Sequence, residues 1–159
     1  MDGSDIARQF FSSYYSLGLN LDGISDAESV VAPDRGGSSI NWILGHIIQS
    51  RHRVFGLMGL SGVWSEDKVD IYGRGTVPDA DRALSLVELR RVLDESQQPF
   101  LVRLKELTEE ELDAPLAEPS KVLGKTLRTA LIFMSFHEAY HCGQIGILRR
   151  MVGKEGAIP

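Results

Sequence analysis

Apolar residues recur three or four positions apart along most of the chain, which is the spacing of amphipathic helices. Ile6, Phe10, Tyr14, Leu17, Leu21 and Ile24 form the first stripe, with Ser4 or Asp5 placed to cap it. Pro33 to Gly37 breaks the pattern. A second helix starts near Ser38 and Ser39, carries Ile40, Leu44, Ile47, Val54 and Met58, and runs out near Gly59 or Gly62. A third begins after Asp79 or Asp81 and carries Leu86, Leu89, Leu93, Phe100, Leu104 and Leu107. Ser96 and Gln97 turn that stripe polar in its middle, and Pro99 predicts a kink or a restart there. Thr108 to Glu111 has the capping-box pattern of one more short turn. The fourth helix runs from about Thr126 to Met151 and closes at Gly153, with Arg149 and Arg150 in the last turn, where the helix dipole favours positive charge.

Residues 60 to 80 have no clear period and read as a long connection between the second and third helices, either a plain crossover or a functional loop. Pro115 and Pro119 bound a further loop, and no alternating strand pattern stands out. Four helices of bundle length in 159 residues predict an all-α protein, a four-helix bundle in one domain spanning 1–159.

Composition narrows the function without naming it. The chain is 43% hydrophobic and 25% charged, ordinary for a water-soluble domain, and its formal net charge is −5. Basic residues are scattered, with only pairs such as Arg90-Arg91 together, so a nucleic-acid partner is not expected. No apolar run approaches the ~20 residues that cross a membrane. The polar, acidic first residues lack a signal-peptide layout, and the one cysteine, Cys142, cannot form an internal disulfide; a reducing cytoplasm is the expected compartment.

The chemistry lies in the histidines. His137 and His141 are spaced i, i+4 and so project from one helical face. With Ala130, Phe133, Gln144 and Leu148 they fall within about 40° of each other, a line read as the centre of the fourth helix's apolar stripe. Two imidazoles buried side by side need partners, and a metal ion satisfies both. The third ligand must be His46 or His52. Both lie on the second helix, about 120° from the centre of its stripe on opposite borders, so periodicity does not separate them. His46 follows Gly45 in an apolar run, whereas His52 lies between Arg51 and Arg53, a solvated setting that opposes a cation; His46 is the better candidate. Three neutral imidazoles suit zinc, nickel, copper or iron and leave a coordination position open, as catalytic sites do. Cys142 lies about 100° around the helix from His141 and reads as a small packed residue.

His137-Glu138-Ala139-Tyr140-His141 also matches the H-E-x-x-H pattern of zinc metalloproteases, in which the glutamate is a general base beside a metal-bound water. The third ligand of that class lies downstream. No histidine follows His141, and the one later carboxylate, Glu155, lies beyond the helix in a Gly-rich stretch. A protease is therefore not expected. Glu138 keeps two readings, a group in reach of a metal-bound water or a solvated helix carboxylate.

Asn41-Trp42-Ile43-Leu44-Gly45-His46-Ile47 and His137-Glu138-Ala139-Tyr140-His141-Cys142-Gly143-Gln144-Ile145 resemble the two motifs of the DinB-like superfamily, which includes the YfiT-like proteins. The resemblance spans nearly the whole chain and departs at Cys142, where the family often has arginine, off the metal face. It implies a bundle with up-down-down-up connectivity, often dimeric, and His46, His137 and His141 as ligands of a divalent transition metal, zinc or nickel first. Members with known activity include transferases that use bacillithiol, mycothiol or glutathione, and a mycothiol-dependent maleylpyruvate isomerase. The resulting expectation is a metal-dependent enzyme acting on a small-molecule substrate, foremost a transferase using a low-molecular-weight thiol. Hydrolysis by a metal-bound water and non-catalytic metal binding in a stress response are the alternatives. Glu138 and Gln144 are the candidate catalytic residues, and Ser96 and Gln97 candidates for the opposite wall.

Overall fold

The computed structural model describes residues 1–158. Four long helices dominate it: α1 (Gly3–Leu21), α3 (Ile40–Leu57), α5 (Leu86–Glu106) and α7 (Leu127–Met151). Shorter pieces join them: α2 (Asp26–Ser29), α4 (Glu66–Ile71), α6 (Glu109–Asp113) and a hairpin of β1 (Pro115–Ser120) and β2 (Gly124–Thr126). Helices α1 and α3 each pack against both α5 and α7.

The ends of the helices follow their capping chemistry. Asp2, not Ser4 or Asp5, caps α1, and Asp5 is the reciprocal half of the box: each side chain accepts from the other residue's backbone N–H. Ser39 caps α3 by accepting from the N–H of Trp42. Helix α5 starts later than Asp79 or Asp81 because the Asp79 carboxylate accepts from the N–H of Asp81 and holds a turn there, leaving Ser85 as the cap. The restart expected as one outcome at Pro99 does not occur, and α5 runs through it. Pro99 and Glu95 are both exposed, so water can serve the carbonyl that proline's missing N–H leaves free. Thr108 and Glu111 form the expected capping box of α6. Gly153, at φ +82°, ends α7 in a Schellman motif: Lys154 N–H donates to Arg149 O and Gly153 N–H to Arg150 O, both at 3.1 Å.

Two stretches read as loops contain structure. Helix α4 lies within 60–80, and the hairpin occupies 115–126, with Pro115 opposite Thr126 and Ser120 opposite Gly124. The first strand is almost wholly exposed, so no alternation of apolar residues marks it.

The buried side chains form two clusters. One gathers Leu17 and Leu21 of α1, Ile40 to Ile48 of α3, Leu86 to Leu93 of α5, and Ile145 and Leu148 of α7. The other gathers Ile6 and Phe10, Val54 to Met58, Phe100 and Leu104, and Leu127 and Leu131. Between them each long helix contributes buried polar groups: Ser13 from α1, Arg51 from α3, Ser96 and Gln97 from α5, Ser135 and Glu138 from α7. The polar middle read in the third stripe is one part of this layer across the core.

Candidate metal centre

Helix α3 supplies His46 and α7 supplies His137 and His141, and ligand nitrogens of all three lie within 4.8 Å of one another. The Nε2 atoms of His137 and His141 are 3.1 Å apart. Two nitrogens each about 2.0–2.1 Å from one ion lie roughly 2.9–3.4 Å apart for angles between about 90° and about 109°. The spacing therefore fits a shared transition-metal ion.

The hydrogen bonds prepare nitrogen lone pairs for it. His46 Nδ1–H donates to the carbonyl of Tyr72 at 2.8 Å, and His141 Nδ1–H donates to Gln144 Oε1 at 2.6 Å. Carbonyl oxygens only accept, so both rings carry their proton on Nδ1 and present a bare Nε2. The bare Nε2 of His141 faces the Nε2 of His137. With His141 Nε2 bare, the 3.1 Å contact is a hydrogen bond donated by His137 Nε2–H, and a cation shared by the two nitrogens would take the place of that proton. Gln144 thus touches a histidine and orients it, which makes it a positioning residue.

Tyr72, at the end of α4, is the part of the centre that periodicity missed. Its ring packs on Gly45, where any Cβ would collide with it. Its hydroxyl donates to Asn41 Oδ1 at 3.0 Å and accepts from the N–H of Leu84 at 2.9 Å. These ties bring the Tyr72 carbonyl to His46. Trp42 stacks on a face of the His46 ring, with centroids 4.9 Å apart and planes at 9°. The glycine immediately before His46 was the available signal, because a glycine on a packed helix face marks a close approach.

The buried residues of α7 are Leu127, Ala130, Leu131, Ser135, Glu138, Cys142, Ile145 and Leu148, so His137 and His141 lie on the border of its stripe, half-buried, and not at its centre. The border position leaves the site open toward solvent. Glu138 is neither solvated nor at the histidines. It is 3% exposed and held by Arg51, with Nε to Oε2 and Nη2 to Oε1 both at 2.8 Å. Arg51, read as part of a solvated setting, is 1% exposed. Its Nη1 donates to Gln97 Oε1 at 2.7 Å, and its guanidinium lies 5.2 Å from the centroid of Phe100. Gln97 therefore belongs to this ion-pair layer, and Ser96 donates to the carbonyl of Leu93. His52 is half-buried, not a free surface residue; its Nδ1 accepts from the N–H of Trp64 at 3.2 Å and pins the start of the 60–80 segment. Cys142 is buried as expected, its thiol donating to the carbonyl of Ser13, and burial pushes it up to about 12.

Burial lowers the pKa of all three histidines, and their mutual charges and Arg74 add to the effect on His46 and His137. His137 falls furthest, from the usual 6.5 to about 4. Neutral imidazoles are the form that binds metal. The sign of the pH dependence follows. Above pH 6.5 the ring is neutral in both folded and unfolded chains. Between 6.5 and 4 the unfolded chain binds a proton that the folded one refuses, so stability drops as pH falls. Chelated protein should melt at a lower temperature at pH 5 than at pH 7.5, and His137→Ala should weaken that dependence. The measured interval, pH 7.5 to 5, lies above the usual carboxylate pKa values of about 4, and an unchanged melting temperature across it would contradict the assignment.

Among the described residues no helix is long and apolar enough to cross a membrane. No functionally curated protein matches the chain. A conserved protein from Enterococcus faecalis has a similar crystal structure, with a TM-score of 0.79 at 16% identity, covering 96% of this chain and 98% of that one. A protein from Streptococcus pneumoniae matches with a TM-score of 0.63 at 15% identity, covering 95% and 90%. At these identities the likeness is one of fold. The sequence profile of the DinB superfamily matches residues 16–145, which include all three clustered histidines, and the chain belongs to that superfamily.

Proposed function

We propose that this protein is a metal-dependent enzyme that transfers a low-molecular-weight thiol to a small electrophilic substrate, with His46, His137 and His141 holding a divalent transition ion, zinc or nickel. The observation that carries the choice of chemistry is the bidentate capture of Glu138 by Arg51. Hydrolysis through a bound water calls for a base nearby, and the one carboxylate beside the histidines in sequence is committed elsewhere. The three histidines are joined by no aspartate or glutamate among the described residues that could hold a metal. A divalent ion at this position would act as a Lewis acid, lowering the pKa of the thiol that takes its open position. The chain's own residues then orient: Tyr72 fixes His46, Gln144 fixes His141, and Trp42 walls one side.

In the reaction the thiol sulfur forms a bond to an electrophilic carbon. The leaving group departs with its electron pair, and the thiol proton passes to solvent. The test is loss of an electrophile by metal-loaded protein with and without added thiol. Turnover that needs both metal and thiol is expected. Thiol-independent hydrolysis would favour the bound-water reading, and stoichiometric metal with no turnover of either kind would favour a non-catalytic metal-binding role.

The finer architecture follows the two core clusters. One draws on the C-terminal half of α1 and α7 and the N-terminal half of α3 and α5, and the other draws on the opposite halves. That segregation supports a four-helix bundle in the up-down-down-up sense. A homodimer is supported by an exposed apolar stripe on α7, Phe136, Tyr140, Ile147 and Met151, within about 60° of arc. A monomeric mass by light scattering would refute it.

A further inference from the structure

The stretch from Tyr72 to Thr76 forms a rim on the histidine site with both ends tied to α3. At one end the Tyr72 carbonyl accepts from His46. At the other, Thr76 Oγ1 accepts from the indole N–H of Trp42 at 3.0 Å, and that indole stacks on His46. Between the anchors Thr76 N–H donates to the carbonyl of Gly73 at 3.1 Å and closes a tight turn. Gly75 takes its third position at φ +88°, where glycine is suited. Arg74 is left at the second position, presented at the tip.

Arg74 is exposed, and every ion pair among the described residues is made by another cation. The turn that carries it is fastened through Tyr72 to His46 and through Thr76 to the indole stacked on His46, which sets the Arg74 backbone at the rim of the centre. An unpaired guanidinium on an anchored turn is suited to bidentate capture of a planar anion.

We propose that Arg74 is a specificity-determining residue: it captures a carboxylate on the molecule that occupies the open coordination position, so the site selects carboxylate-bearing thiols over neutral ones. The proposal rests on the metal-and-thiol reading above. It implies that the thiol enters with its sulfur toward the histidines and its carboxylate toward the 73–76 turn.

The test uses protein loaded with cobalt(II), whose absorption reports a sulfur or oxygen ligand at the ion. N-acetylcysteine and its uncharged amide are titrated against native protein, Arg74→Ala and Arg74→Lys, with circular dichroism confirming the fold of each. Hydrogen bonds to charged groups imply that Arg74→Ala weakens N-acetylcysteine by about tenfold or more. The amide should bind all three proteins alike. Arg74→Lys should recover part of the loss, keeping the charge without the fork. If both thiols bind and Arg74→Ala changes neither, the role of Arg74 is overturned while the thiol reading stands. If neither thiol gives the cobalt–sulfur band, the thiol reading falls, and succinate then decides on Arg74, since its two carboxylates can span ion and guanidinium. Equal succinate affinity in native protein and Arg74→Ala would overturn the proposal.

Discussion

Glu138→Ala is expected to destabilise the protein by about 3–5 kcal/mol, the usual cost of removing one partner from a buried ion pair. The reason is what remains. Arg51 is 1% exposed and gives two of its donors to Glu138, with a third on Gln97. Without the carboxylate, its charge stays in the core between two apolar clusters, paired to one neutral amide. The double variant Arg51→Met with Glu138→Leu removes both charges and should recover most of the loss, because the pair's attraction offsets a large desolvation cost and contributes little net stability. Urea denaturation of chelated protein measures both effects apart from any metal. A cost below about 1 kcal/mol for Glu138→Ala, in the range of exposed pairs, would mean that the pair is not buried in solution.

The same pair shows where the sequence was legible and where it was not. The long helices could be read because each carries its own stripe, a property of residues three and four apart. The His137–His141 pair could be read for the same reason. The partnership of Arg51 and Glu138 spans 87 positions, and no local pattern encodes it. Each half still left a trace. Arg51 fills the gap between Ile47 and Val54 in the second stripe, and Glu138 falls among Leu131, Cys142 and Ile145 on the buried face of α7. Opposite charges on two core stripes, both near mid-helix and level with Ser96 and Gln97, are a signature of one polar layer. Placing the α7 stripe one step away, on the histidines, hid it. Such a layer fixes helix register, since sliding one helix past another would strand a charge. Tyr72 was illegible for a different reason. It acts on His46 through a backbone carbonyl, which every residue has, so its identity matters only through the ring that packs on Gly45.

His137→Ala or His141→Ala should abolish stoichiometric binding of zinc, with elemental analysis of dialysed protein made without a metal-affinity tag as the measurement. Two imidazoles cannot hold the ion against water and buffer, and no carboxylate stands ready to replace the lost ligand. His52→Ala is the control. It removes an acceptor from the N–H of Trp64 and opens space beside Gly62, so it should lower the melting temperature slightly while leaving zinc at one per chain. Chelation separates ligand loss from unfolding. The two apolar clusters do not include the three histidines, so chelated native protein should keep its far-ultraviolet helical signal. It should melt below the loaded form, because an ion that binds only the folded chain stabilises it by mass action. The His137→Ala and His141→Ala proteins should then melt at the same temperature with and without zinc. Full zinc content in His141→Ala would remove the three-histidine centre, and complete loss of helix on chelation would make the ion a structural requirement of the fold.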